Sequence, residues 1–331
     1  MTLRRVAAMS GISIKTASRA LAGEGNVAEG TRRRVEAAAD RIGYVANRAA
    51  RTMRTGRTGL YGLIAHGATT SPFTGEILRG VETRIEADGG ALLITDAATG
   101  GLARSQRLLS GFRPDAVIFV AGYHRDADAI FAPGPERAIL VNCRSDEHAL
   151  PAFVPDDEGG GRLQAEHVLA LGHRRLSLIE LPEGMRARGL RRRGVDAALR
   201  AAGLDPRTLR ASLGQDGPPE ARRLVAFEAA ARMLSGSDRP TAILCSKDEY
   251  ALQAIAAACR LGLRIPEDVS VIGFVDLRLL SETARPGLTT VALPYFEMGL
   301  AAARAAQGDP EAAPSVVPCR LVRRGSCAEA A

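Results

Sequence analysis

The residues best suited to chemistry lie near the start of the chain, in SIKTASR (residues 13–19). Lys15 and Arg19 carry positive charge, Ser13, Thr16 and Ser18 carry hydroxyls, and Gly11 stands just before them. Cations and hydroxyls gathered on two helical turns are the groups that meet the phosphates and base edges of a duplex. Other clusters are weaker. Asp156, Asp157 and Glu158 form a carboxylate run beside three glycines, but nothing pairs them with a base or a metal. Their expected place is a solvated loop or helix N-terminus, with the glycines permitting close chain packing. GxxxxGK[ST] and GxSxG are absent, and no GxGxxG follows a first strand, so neither nucleotide binding nor serine catalysis is expected. Cys143, Cys245, Cys259, Cys319 and Cys327 are odd in number and never spaced CxxC. With five scattered histidines (His66, His124, His148, His167, His173), they point to reduced thiols and satisfied imidazoles, with no metal and no cofactor.

The elements that must position these side chains can be read from periodicity. Leu3, Val6 and Ala7 suit one short amphipathic helix with Thr2 as N-cap, and Gly11 breaks it. Ser13 caps a second helix in which Ile14, Ala17 and Leu21 share the core face, leaving Lys15, Thr16, Ser18 and Arg19 to point elsewhere. Val35, Ala38, Ala39 and Ile42 repeat at helical spacing and Gly43 suits the stop, which gives a third helix to close a small core. Two short helices joined through a glycine turn make a helix-turn-helix. Residues 1–58 hold twelve Arg/Lys against four Asp/Glu, a net of +8 in a chain of +7, so the other residues net about −1. A basic end on a near-neutral body is the footprint of nucleic-acid binding. Arginine-rich composition alone, with Lys15 and Lys247 the only lysines, would produce the same count.

From Gly59 onward, apolar runs alternate with helical stretches. GLYGLIA, ALLIT, DAVIFVA, RAILVN, RLSLIEL, TAILCS and VSVIGF read as buried strands, and residues 76–88, 159–171 and 248–262 as helices between them. Such alternation predicts doubly wound parallel sheets in an α/β fold, with VPDDEGGGR marking the passage to a second unit. Two facing units leave a cleft at the carboxyl ends of their strands. No stretch approaches a membrane span and no leader precedes the first helix, so the expected setting is the cytoplasm.

The pattern V-A-x-x-x-G-[IV]-S-x-x-T-x-S-R, then T-R-x-R-V, then G-Y-x-x-N-x-x-A-R, resembles the headpiece and hinge of the lac/galactose repressor family over some fifty residues without gaps. The blocks HVLALGHRRLSLI, RRRGVDAAL, PTAILCSKDEYALQAI, LGLRIPEDVSVIGFVD, RPGLTTV and EMG extend the likeness over essentially the full chain. It implies a helix-turn-helix headpiece (1–46), a hinge helix and linker (47–58) and a core (59–331) similar to periplasmic sugar-binding proteins. In that core one subdomain takes about 59–156 and 292–318, and the other about 157–291 and 319–328. It implies that Ile14, Lys15 and Arg19 read base edges, with Ser13, Thr16, Ser18, Asn26 and Tyr44 mainly on phosphates. The hinge, capped by Asn47 and lined by Ala50 and Met53, would fold on the operator and wedge into the minor groove of a pseudo-palindrome bound by a homodimer. Ala28 stands where the family usually has a capping Ser.

For a small-molecule effector, a sugar or sugar acid, the resemblance carries over Arg191, Asp276, Asp96 and the loop residues Ser71, Pro72 and Phe73. Two positions depart: Lys247 replaces the usual Asn before Asp248, and Val275 replaces the first acidic residue before Asp276. Both exchanges move the inferred pocket toward positive charge, which suits an anionic effector. Alternatively Lys247 pairs with Asp248 or Asp276 around a neutral sugar, or the response to effector is lost. The function implied is a ligand-responsive repressor and not an enzyme. The rival is a solute-binding protein or small-molecule enzyme on the same α/β halves, for which fold alone is no objection.

Overall fold

The computed structural model describes residues 2–21, 26–44, 52, 56–67, 74–128, 130–132, 134, 137–217 and 223–330, with the side chains of residues 98 and 99 left aside. The chain divides into two compact units, Met1–Gly59 and Leu60–Ala331.

The first unit holds three helices, α1 (Leu3–Ser10), α2 (Ile14–Leu21) and α3 (Glu29–Arg41). Gly11 ends α1 in the left-handed conformation at φ 66°, and the Ile12 amide reaches back to the Ala7 carbonyl. That conformation is one a side chain resists, so the glycine sets the turn. Ser13 caps α2, its hydroxyl accepting from the Thr16 amide at 3.1 Å. Thr2 holds the N-cap position of α1 but makes no side-chain cap, so its carbonyl alone serves the Arg5 and Val6 amides. Ala28 likewise gives α3 no side-chain cap. The core is Val6, Ala7, Ala17, Ala20, Val35, Ala38 and Ala39. Ile14 does not join it: with 46% of its surface exposed, it lies outside the covered stripe, which Ala17 and Ala20 form.

In the second unit, β1 (Leu60–His66), β2 (Ala91–Asp96), β3 (Ala116–Asp126), β4 (Ala138–Arg144) and β5 (Ala152–Pro155) form a parallel sheet in the order 2-1-3-4-5. A second sheet takes β6 (Leu176–Glu180), β7 (Arg210–Leu213), β10 (Ala242–Cys245), β11 (Ser270–Val275) and β12 (Thr289–Ala292) in the corresponding order. The pair β8 (Gln215–Asp216) and β9 (Arg223–Leu224) stands apart. The last strands are shared out: β13 (Ser315–Val317) extends the first sheet beside β5, and β14 (Arg320–Val322) runs antiparallel to β12 in the second. The chain therefore passes between the sheets three times, after β5, after β12 and between β13 and β14.

Helices cover both faces of each sheet, as doubly wound sheets require. They are α4 (Thr74–Ala87), α5 (Ala97–Gly100), α6 (Leu102–Ser110), α7 (Asp157–Ala170), α8 (Arg186–Ala201), α9 (Ala226–Leu234), α10 (Asp248–Arg260), α11 (Arg278–Ser281) and α12 (Tyr295–Gln307). The glycines of DDEGGG do serve close packing. A Cβ at Gly161 would run into the Arg191 backbone, and one at Gly194 into that of Glu158, so α7 and α8 approach at van der Waals limits. Asp156 caps α7, its carboxylate accepting from the Gly159 amide at 2.8 Å. Among the described residues, no helix is long and apolar enough to cross a membrane, and no group of three His, Cys, Asp or Glu could hold a metal.

Candidate functional sites

On the headpiece, Ser13, Ile14 and Lys15 are exposed at the start of α2, while Thr16, Ser18 and Arg19 are half-buried along it. Ser13 and Thr16 are partly spent on each other, their hydroxyls 2.8 Å apart and the Ser13 oxygen on the helix cap. Asn26 is exposed in the turn before α3, and Tyr44 packs half-buried on the headpiece core. Asn47, Ala50 and Met53 lie outside the described residues.

In the second unit, the carboxyl ends of the strands meet around a small cavity. It is lined by Tyr123 and His124 at the end of β3, Asn142 on β4, Leu181 after β6, Lys247 after β10 and Val275 on β11, with Ala187 and Arg191 of α8 and Tyr295 of α12. Each sheet thus brings groups to the place where its strand order reverses, the usual ligand position in such sheets. Local backbone is strained there. Asn142 has φ 58°, Val275 φ 113° and Asp276 φ 61°, and for a β-branched residue such as Val275 that conformation is held only by its surroundings. Among the described residues the cavity measures about 20 Å³, room for about one water.

Its centre is a buried charge network. Asp157 accepts from Arg191 Nε at 2.7 Å and bonds His124 Nδ1 at 2.6 Å, with all three side chains buried. Arg191 also donates to the Ser246 carbonyl at 2.6 Å and stacks on Phe274, its guanidinium carbon 3.8 Å from the ring centre. Burial alone would raise the Asp157 pKa, but the Arg191 charge and the His124 hydrogen bond outweigh it and leave the carboxyl below its ordinary range. Further out, Arg186 of α8 pairs with Asp126 and Asp146 at strand ends of the other sheet. Arg192 and Arg193 bond Asp196 and Glu158 respectively.

Lys247 is 4% exposed, and its ammonium meets the Tyr123 hydroxyl at 3.4 Å and the Tyr123 and Tyr250 ring faces at 4.6 and 5.5 Å. It pairs with neither Asp248 nor Asp276. Asp248 accepts from the Thr290 hydroxyl and the Leu277 amide, both at 2.6 Å, whereas Asp276 takes Ser281 at 2.8 Å and Arg324 at 2.9 Å.

Of the expected effector residues, Arg191 and Lys247 come together in the cavity. Asp276 instead faces a neighbouring groove of about 380 Å³, which Val275 and Tyr295 separate from the cavity by lining both. Asp96 closes β2 and is not among the described residues lining the cavity. Ser71, Pro72 and Phe73 lie outside the described residues. Tyr123, His124, Asn142, Asp157 and Tyr295 were not expected. Asp157 does lie at a helix N-terminus, but it is buried and paired, not solvated, because α7 starts where Arg191 and His124 converge. His124 is an incompletely satisfied core histidine, with Nε2 unpartnered. The one signal that pointed to Asn142 was its place at the carboxyl end of the predicted strand RAILVN.

Asp248 gives a pH test. Burial raises its pKa to about 7, opposed by the Thr290 and Leu277 hydrogen bonds and aided by the Asp276 and Glu249 charges. From the ordinary carboxylate range up to about 7, the unfolded chain is ionised here and the folded chain is not, so stability falls as pH rises through that window. Asp248→Asn keeps an acceptor for Leu277 and a donor for Thr290. Urea unfolding from pH 5 to 8 should show the variant's stability falling about 2–4 kcal/mol less than the wild type's. Parallel pH profiles would remove Asp248 as the cause.

Comparison with known proteins finds a match in each unit. Residues 2–47 match the bacterial regulatory proteins of the lacI family, and residues 165–327 the periplasmic binding protein-like domain. The sucrose operon repressor of Escherichia coli is 32% identical over 98% of this chain and 99% of its own length. The chain belongs to the lacI family. It is a DNA-binding transcriptional repressor of that family, and its other relatives are regulators too. MalR of Streptomyces coelicolor is 33% identical over 99% of this chain and 97% of its own. Among solved structures, this repressor is similar to a putative LacI-family regulator from Rhizobium etli, with TM-score 0.77 and 35% identity over 82% of this chain and all of that one. It is also similar to the lac repressor dimer bound to operator and an anti-inducer, with TM-score 0.72 and 26% identity over 99% of both chains.

Proposed function

We propose that this repressor acts in the cytoplasm as a homodimer on a pseudo-palindromic operator, and that a small sugar-like effector in the cleft between the two sheets modulates its grip. The headpiece (1–46) would read the major groove through Ile14, Lys15 and Arg19 and hold phosphates through Ser13, Thr16, Ser18, Asn26 and Tyr44. The hinge (47–58), with Asn47, Ala50 and Met53, would insert in the minor groove. The observation that carries this reading is the exposed start of α2, where Ile14 stands outside the core beside Lys15. A large apolar side chain left in water next to a cation suits a thymine methyl beside a base-edge acceptor. The cleft suits an effector because groups from both sheets converge on it. A ligand that prefers one spacing of the sheets shifts the equilibrium by its differential affinity, and about 1–3 kcal/mol of coupling makes a graded switch.

The test is a gel shift on inverted repeats upstream of the gene, with Lys15→Ala beside wild type. Lys15→Ala should weaken binding to the repeat by about tenfold or more while binding to scrambled DNA changes little. A wild-type chain that binds repeat and scrambled duplex alike would refute the proposal.

A further inference from the structure

Three buried polar groups around the cavity are left unspent, and they differ in kind. Lys247 has no carboxylate within 4.0 Å among the described residues. His124 Nε2 and Asn142 Oδ1 are buried without a hydrogen-bond partner. Asn142 commits its amide nitrogen to the Ala121 carbonyl at 3.0 Å, so its free oxygen is an acceptor. His124 turns Nδ1 to the Asp157 carboxylate and leaves Nε2 as the ring nitrogen open to a ligand. The cavity thus offers one cation, one amide acceptor and one imidazole nitrogen. Asp157 already neutralises Arg191, so the Lys247 charge is the one left over.

We propose that the effector is a small polyhydroxy carboxylic acid, its carboxylate on Lys247, one hydroxyl donating to Asn142 Oδ1 and another bonding His124 Nε2. This rests on the cleft being the effector site. An ammonium taken out of water without a counter-charge is unfavourable, and the Tyr123 and Tyr250 faces offset only part of that. A carboxylate brings a single negative charge, equal to the surplus, whereas a phosphate brings closer to two.

Calorimetry on the full chain tests this with D-glycerate and D-gluconate against glycerol, D-glucitol and D-glucose. An acid should bind at least about tenfold more tightly than its neutral counterpart, as a charge-assisted contact gives. Lys247→Met should abolish that preference. It removes a buried charge, so urea unfolding should show it at least as stable as wild type. Asn142→Asp keeps the acceptor and tolerates the positive φ, but sets a negative charge against the acid, so it should lose the acids. No binding by either acid, a neutral compound bound as tightly, or a preference that survives Lys247→Met would overturn the proposal. A neutral sugar that binds and changes operator affinity would sink the acid while keeping the cleft as the effector site. An acid whose binding ignores both substitutions would sink the cleft itself.

Discussion

Asp157→Leu should lower the free energy of unfolding by about 3–5 kcal/mol, read as a shift of the urea midpoint at pH 7. The carboxylate faces Arg191 and His124, both of them buried. Deleting it strands a buried guanidinium and a buried ring, and the uncompensated charge, more than the lost pair, sets the size of the effect. Asp156→Ala is the control, since it removes only the cap bond to Gly159 and should lose about 1 kcal/mol. The contribution of Asp157 also has a pH signature opposite to that of Asp248. Its folded pKa is lowered, so the stability it adds is present above the ordinary carboxylate range and drains away as pH falls through the folded value. If the two substitutions proved equally mild, the buried network could not be what holds the two sheets at this spacing.

The second large effect is on DNA. Operator affinity should fall roughly a thousandfold between 50 and 200 mM salt, as for a protein that neutralises about six or more phosphates. Twelve Arg/Lys against four Asp/Glu in residues 1–58, doubled in a homodimer, supply that many cations. Each displaced counterion adds to the slope, so a fluorescence-anisotropy titration repeated at several salt concentrations counts the contacts directly. A loss of less than tenfold would mean that the basic end does not lie along the duplex backbone.

How much of this was legible in the sequence depended on the range of the interaction that fixes each residue. All seven predicted apolar strands formed, because burial on both faces writes an unbroken apolar run into the local sequence. Five strands of three or four residues were missed: Ala152–Pro155, Arg210–Leu213, Thr289–Ala292, Ser315–Val317 and Arg320–Val322 are too short to show a period, and neighbouring strands define them. The headpiece helices were placed correctly, but periodicity put Ile14 on one face with Ala17 and Leu21, and it stands exposed beside the covered stripe. Helical spacing says which residues share a face, not whether a third helix reaches far enough to cover it. In the cleft, Arg191 and Lys247 were named through resemblance, and both line the cavity. His124 and Asp157, 33 residues apart, were each read as unremarkable because the contact that defines them exists only once both sheets are built. Asp276 was named with them, but its pairing with Arg324, 48 positions later in the numbering, leaves no local mark.

The three passages of the chain between the sheets have a consequence for biosynthesis. The first sheet receives its sixth strand, Ser315–Val317, only after every parallel strand of the second has been made. Neither half can be finished on the ribosome before the other is nearly complete, and no single cut in the polypeptide releases one half whole. Nascent chains halted anywhere before residue 315 lack the strand that pairs with Ala152–Pro155, which makes residues 315–322 the segment on which both halves are committed together.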